Sequence, residues 1–414
     1  MLFNRISFQV NPNKFRILVF LVPVFFFYLN ENVISLTYPI VGELLLNSAF
    51  YIGIIISLTS IIGILCDFFF PQIFKASDWK QQFIMGMILA IFLNITLSNS
   101  VHSGSVPLLI LAGLLWTLYY EFCAFAINNY LAVSEKSNNF VYDWSLISIV
   151  YNVAAIIGPI LASFIIEDFF LVLLVFQLIS LISIFVVGYI TRKEIKVTPK
   201  SKIKSTLSLF RGLEIWKVLV PKVLPLILFS IGIGIIDSTY WTIGGLYASQ
   251  IFKNNDLSWI TIVMYSIPFI FGSIIMAKLN MKKFKKLTSQ IFLAINAVLL
   301  LIFFIPDINP FIAMGIILVS SFFLALASPL NDAAFSDLLT RLNEKMEHLV
   351  GIKKISYSIA YIIGPVLSGF LTENFGFQNT FAIMGLGLLI LAVTLLSITP
   401  KKIRLPQTEL SEIK

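Results

Sequence analysis

Twelve apolar runs recur along this chain of 414 residues, and each is long enough, at roughly 20 residues, to cross a bilayer as a helix. Their cores fall at 16–40, 48–68, 81–98, 106–131, 142–165 and 169–190, then at 223–247, 258–279, 288–305, 311–335, 353–371 and 378–398. Backbone inside lipid has no water to bond, so it must satisfy itself, and runs of this length do so as helices. Composition agrees: 58% of residues are hydrophobic, 12% are charged and the mean hydropathy is +0.94, beyond the need of any water-soluble core. The expected class is an all-α polytopic membrane protein with twelve transmembrane helices.

Charge placement supports the count independently. With both termini inside, 28 of the 29 Lys and Arg residues fall in inner segments and only Lys253 falls outside. A wrong number of spans would scramble that asymmetry, so the positive-inside rule gives a multi-pass plasma-membrane protein with cytoplasmic N- and C-termini. The net charge of +8 is then explained by orientation and by anionic membrane lipids, and it calls for no nucleic-acid partner. Cys66 and Cys123 both lie within spans and imply no disulfide framework. The first run contains Asn30-Glu31-Asn32 and no small-residue cleavage site, so it reads as a retained helix. Asn94-Ile95-Thr96 matches a glycosylation sequon but sits inside the third span and reads as accidental.

A hydrophilic stretch divides the chain into an N-terminal six-helix half (1–190), a basic cytoplasmic linker (191–222), a C-terminal six-helix half (223–400) and a cytoplasmic tail (401–414). Within Ser205–Leu219, apolar Leu207, Phe210, Leu213 and Trp216 recur about every three residues. That spacing suits a short helix lying on the inner membrane surface, the alternative being an irregular linker. The halves also repeat each other. Ile157-Gly158-Pro159-Ile160-Leu161 returns 206 positions later as Ile363-Gly364-Pro365-Val366-Leu367, and the same offset carries Tyr151 onto Tyr357 and Glu31 onto Asp237. Two parallel six-helix repeats of this kind place a transport path and a central cavity at their interface.

Six plus six spans, a basic central loop and Gly-Pro in spans five and eleven resemble the major facilitator superfamily over essentially the whole chain. In pattern the chain is closest to its drug/proton antiporter-like branch, whose fifth-span motif the Gly158-Pro159 segment resembles. Gly63 and Asp67 match the family's loop 2–3 signature, whereas Phe68, Phe69, Phe70, Pro71 and Gln72 replace its basic and Gly positions. The resemblance implies that Gly63 and Asp67 belong to a gate, with Asp67 holding the start of span eleven through Lys353 or Lys354. It also implies that spans one, four, seven and ten line the cavity.

Ionisable groups at membrane depth are costly and by default face a cavity. Three acids meet that description: Glu31 in span one, Glu121 in span four and Asp237 in span seven. Helical spacing puts Tyr28, Ser35 and Tyr38 on the face of Glu31, Thr117 and Asn128 near Glu121, and Gly234, Tyr240, Trp241 and Gly244 near Asp237. Tyr120 and, from span ten, Ser321, Ser328, Asn331 and Asp332 complete the expected lining. Burial favours a protonated carboxyl, which makes such acids candidates for proton coupling or for pairing with a cationic substrate. Each could instead be a hydrogen-bonded packing contact between helices. Tyr119, Tyr120, Tyr240 and Trp241 could stack on a ring or cover a cation, or simply pack. The two Gly-Pro pairs (Gly158, Pro159 and Gly364, Pro365) could hinge their spans, or could serve close packing alone.

No Lys or Arg falls in the middle of a span, so an anionic substrate would lack a fixed positive partner. An enzyme is not expected. His102 and His348 lie in separate loops, no metal-ligand cluster appears, no cofactor is called for, and a G-x-x-x-x-G-K-[ST] loop is absent. The expected function is secondary active transport by alternating access, with proton-coupled export of a neutral or cationic small molecule. The partners would be that substrate, protons and membrane lipids, and the chain would act as a monomer. The alternatives are a proton symporter or facilitator for a neutral nutrient, a lipid flippase-like carrier, or a membrane scaffold.

Overall fold

The computed structural model describes residues 12–74, 78–134, 140–165, 169–191, 209–279, 284–339, 346–400 and 403. All regular structure among them is helical. The first half comprises α1 (Pro12–Leu46), α2 (Ala49–Ile73), α3 (Trp79–Ser103), α4 (Val106–Ser134), α5 (Phe140–Ile165) and α6 (Phe169–Thr191). The second comprises α7 (Leu209–Phe252), α8 (Trp259–Leu279), α9 (Lys285–Leu300), α10 (Pro310–Leu339) and α11 (Met346–Ile398).

Expected spans eleven and twelve share α11. Gly376 breaks it at φ 80°, ψ 163°, a conformation open to glycine because it carries no Cβ. The Thr372 and Thr380 hydroxyls meet at 3.1 Å across the break. Eight residues of straight helix would hold them about 12 Å apart, so the chain reverses here. Among the described residues ten helices are long and apolar enough to cross a membrane; Ile352–Ile398 supplies two limbs, and the shorter apolar stretch Leu173–Phe185 of α6 brings the crossings to twelve. The outer surface suits lipid: Phe92, Phe164, Ile182, Phe311 and Ile390 are each more than half exposed.

One element differs from expectation. From Leu209 the segment thought to lie separately on the membrane surface is continuous with α7. Ile215, Leu219 and Val223 find protein partners, packing with Phe335 and Leu338 of α10 and Ile352 of α11. Residues 192–208 of the expected linker, most of the expected tail, and Lys75, Lys136, Lys282, Lys283, Arg341 and Lys345 lie outside the described residues.

Each half has its own apolar core, and buried polar groups tie helices together inside it. Tyr119 donates to the Phe27 carbonyl at 3.0 Å, Tyr38 to the Leu109 carbonyl at 2.9 Å, and Gln177 to the Ala90 carbonyl at 3.0 Å. Asn94, from the apparent sequon, is buried and donates to the Phe170 carbonyl at 2.8 Å. Interhelical bonds of this kind act as glue where lipid supplies no hydrophobic drive between helices.

The Gly-Pro repeat is a repeat of helix pairs. A methyl group on Gly158 would come 2.6 Å from the Asn32 Cβ, so α5 lies directly on α1. Gly364 faces Ser238 and lies so close to α7 that an added Cβ would be 3.2 Å from the Ile235 carbonyl oxygen. Asn32 and Ser238 are themselves 206 positions apart. On its other side α11 meets α2, where Gly53 abuts the Pro365 carbonyl. Close approach is the role these glycines display.

The halves meet differently at their two ends. On the side of Leu46 and Phe252, Leu36 and Ile40 of α1 share one apolar cluster with Leu246 of α7 and Ile262 of α8. Ser48, the N-cap of α2, also donates there to Glu373 of α11. At the opposite end, Lys354 of α11 pairs with Asp67 of α2.

Candidate functional site

Between these two ends lies a cavity of about 400 Å³, within the range that holds small organic ligands. The first half lines it with Glu31, Asn32, Ser35 and Pro39 of α1, Ile56, Thr59, Ser60, Gly63 and Asp67 of α2, Trp116, Thr117, Tyr120 and Glu121 of α4, and Tyr151 of α5. The second half contributes Asp237, Ser238, Trp241 and Thr242 of α7 together with Lys354, Tyr357, Ser358, Tyr361 and Pro365 of α11. All three acids singled out in the sequence open onto this space.

Their settings differ. The Trp116 indole N–H donates to both carboxylate oxygens of Glu31, at 2.9 and 3.0 Å, joining α4 to α1. Ser35, one turn on, donates to the Glu31 backbone carbonyl at 2.9 Å. Asp237 is gripped from two helices: the Tyr265 hydroxyl of α8 donates to Oδ1 at 2.5 Å, and the Tyr361 hydroxyl of α11 donates to Oδ2. Glu121 occupies room left by Gly63, where an added Cβ would sit 3.2 Å from its Oε1. Asp67 and Lys354 lie beside it.

Several expected lining residues point elsewhere. Tyr28 is capped by Tyr151, ring centroids 5.1 Å apart. Asn128 is exposed and donates to the Ala124 carbonyl at 2.9 Å. Tyr240 is fully buried in the second half, stacked on Tyr265 at 4.2 Å. Tyr240 and Trp241 bracket Asp237 on the helical wheel, about 60° to one side and about 40° to the other, and the cavity lies on the Trp241 side. Span ten contributes nothing to the lining, contrary to expectation. Asn331 donates to Ser230 at 3.0 Å, and Asp332 pairs with Lys353 at 2.6 Å. Its place is taken by α2 and the first limb of α11.

Sequence reasoning passed over Trp116, Tyr265 and Tyr361, and it named Tyr151 and Tyr357 only as repeat partners. The 206-residue offset was the available signal for some of them, since Tyr151 and Tyr357, like Asn32 and Ser238, line the cavity as matched pairs. Lys354 meets the expectation drawn from the family resemblance, pairing with Asp67 across the halves, and it also faces the cavity. The lining thus sets four carboxyls, Glu31, Asp67, Glu121 and Asp237, against one ammonium that is already paired. Such a surface can hold protons or an organic cation, and among the described residues no group of His, Cys, Asp and Glu could hold a metal ion.

Comparison with solved structures returns transporters of the same fold. Nucleoside transporter NupG is similar at TM-score 0.72 and 13% identity, over 92% of this chain and 98% of that one. The peptide transporter POT is similar at 0.66 and 15%, over 94% and 95%. A bacterial homolog of the human lysosomal transporter Spinster, solved inward-facing and unoccupied, is similar at 0.66 and 11%, over 94% and 97%. A search of curated protein sequences yields no significant match. The family model described as Major Facilitator Superfamily matches residues 25–341 and again 234–412, so nearly the whole chain is covered. This chain, a multi-pass membrane transporter and not an enzyme, belongs to the Major Facilitator Superfamily.

Proposed function

We propose that this protein is a proton-coupled secondary transporter of the plasma membrane, acting as a monomer with cytoplasmic termini and exporting a cationic or neutral small organic molecule. The observation that carries the reading is the convergence of Glu31, Glu121 and Asp237, from three helices, on one cavity whose single lysine is engaged by Asp67. Acids at this depth are retained at a cost, and they have no spare cation beside them. Trp116, Tyr120, Tyr151, Trp241, Tyr357 and Tyr361 surround them with rings able to cover a cation or a flat solute. If the same carboxyls hold either a proton or the cation, the two compete, and competition for one site produces exchange.

Uptake into inverted membrane vesicles tests this directly. An uncoupler should abolish accumulation, and flux that persists unchanged without a pH gradient or voltage would overturn the coupling. Glu31→Gln and Asp237→Asn should each reduce coupled transport at least tenfold while leaving a folded protein; wild-type activity in both would return these acids to packing. Proton symport of a neutral polar solute is the second reading, favoured by the hydroxyls of Thr59, Ser60, Thr117 and Ser238 in the lining. Proton release on substrate addition supports exchange, and proton co-uptake supports symport.

A further inference from the structure

The two oxygens of Asp237 have partners of opposite character. Tyr265, on Oδ1, is only 3% exposed and takes no part in the lining; its ring is stacked on Tyr240 at 4.2 Å and set against Phe269 at 5.2 Å. It cannot leave without unpacking the core of the second half. Tyr361, on Oδ2, faces the cavity and rides on α11, three residues before Gly364. Of these two phenols only Tyr361 stands on the cavity side, so a donor arriving from the cavity meets its hydroxyl at Oδ2, with the Trp241 indole beside the same carboxyl.

We propose that Tyr361 is a displaceable surrogate for substrate: a donor-bearing organic cation, such as an amine or amidine, replaces its hydroxyl on Asp237 and thereby loosens α11 from α7. Tyr265 is the positioning residue that keeps the carboxylate aimed at the cavity during the exchange. The proposal rests on the reading of the cavity as a cation site and adds the chemistry of recognition, namely that the substrate must donate as well as carry charge. It also gives occupancy a mechanical consequence. The Tyr361 hydroxyl ties α11 to α7 beside the close contact of Gly364 with Ser238, and α11 is the helix that carries Lys354 to Asp67 of the other half. Release of that tie frees the helix on which the bridge between halves depends.

The two tyrosines predict opposite signs for the same chemical change. Full-length protein in nanodiscs is titrated with ethidium, a planar cation bearing amine donors, and with tetraphenylphosphonium, a cation bearing none. Tyr361→Phe should bind ethidium about fivefold tighter, because no hydroxyl must be displaced, whereas Tyr265→Phe should bind it about fivefold weaker. Tetraphenylphosphonium affinity should be indifferent to Tyr361→Phe. Despite its tighter binding, Tyr361→Phe should move ethidium more slowly in proteoliposomes. Hydrogen–deuterium exchange in segment 354–365 should rise in the wild type when ethidium is added, and in Tyr361→Phe without it. Unchanged or weaker ethidium binding by Tyr361→Phe overturns the displacement. Unchanged exchange in that variant overturns the clamp, and this arm needs no ligand. Failure of the wild type to bind either cation overturns the cation-site reading instead, and the ligand-free exchange still decides the clamp.

Discussion

Glu31 and Asp237 occupy the same point of the two halves, one helix repeat apart, yet the protein holds them by different means. Glu31 has one indole donor, from α4 of its own half. Asp237 has two phenol donors, from α8 and α11, so a single carboxyl pins three helices of the second half. The glycine contacts around them are nearly symmetric, Gly158 against Asn32 and Gly364 against Ser238. The duplication has thus kept the packing while the hydrogen bonding diverged. Divergence at matched acids separates a carboxyl tied to one neighbouring helix, Glu31, from one tied to two, Asp237.

The contrast can be broken most decisively by deleting each acid. Asp237→Ala strands two hydroxyls and should lower unfolding stability by about 3 kcal/mol, whereas Glu31→Ala strands one indole and should cost about 1 kcal/mol. Denaturant unfolding of the purified variants measures both, and equal losses would erase the distinction. Next in size is the shared packing. Gly158→Ala and Gly364→Ala should each cost about 2 kcal/mol, since the added methyl meets the facing helix in both halves. Gly315→Ala, where nothing lies within 4 Å, should be neutral or slightly stabilising. A marked difference between the first two would show that the packing has diverged as well.

The smallest effects concern adjacent lysines. Lys353 pairs with Asp332 of its own half, and Lys354 pairs with Asp67 of the other. Both pairs are partly exposed, so Lys353→Gln and Lys354→Gln should each change stability by less than about 1 kcal/mol. Only Lys354→Gln should alter access to the cavity, raising maleimide labelling of a cysteine at Ser60 severalfold. Equal labelling in the two variants would show that the bridge between halves does not govern access.

Much of the fold was legible because its causes are local. Apolar length, loop charge and the expense of an acid in lipid are properties of short segments, and they led to twelve crossings, two halves and the three cavity acids. The segment before span seven differs for a related reason: Trp216, Leu219 and their neighbours announce an apolar face, but not whether lipid or α10 will cover it. The lining was half legible. Ser35, Thr117 and Trp241 follow from helical spacing around the acids, whereas Tyr28 follows the same spacing and is covered by Tyr151.

What the sequence determined by itself is the solvent, the number of crossings, the duplication and the kind of residue that must face a cavity. Tertiary structure alone decided which partners meet those residues. A helix's rotation about its axis, and the choice of α2 and α11 over α10 as walls, depend on contacts between residues hundreds of positions apart, such as Gly53 on Pro365 or Tyr361 on Asp237. Periodicity describes a face and leaves its direction open. Only packing of all the helices together fixes that direction, and with it the chemistry each acid can perform.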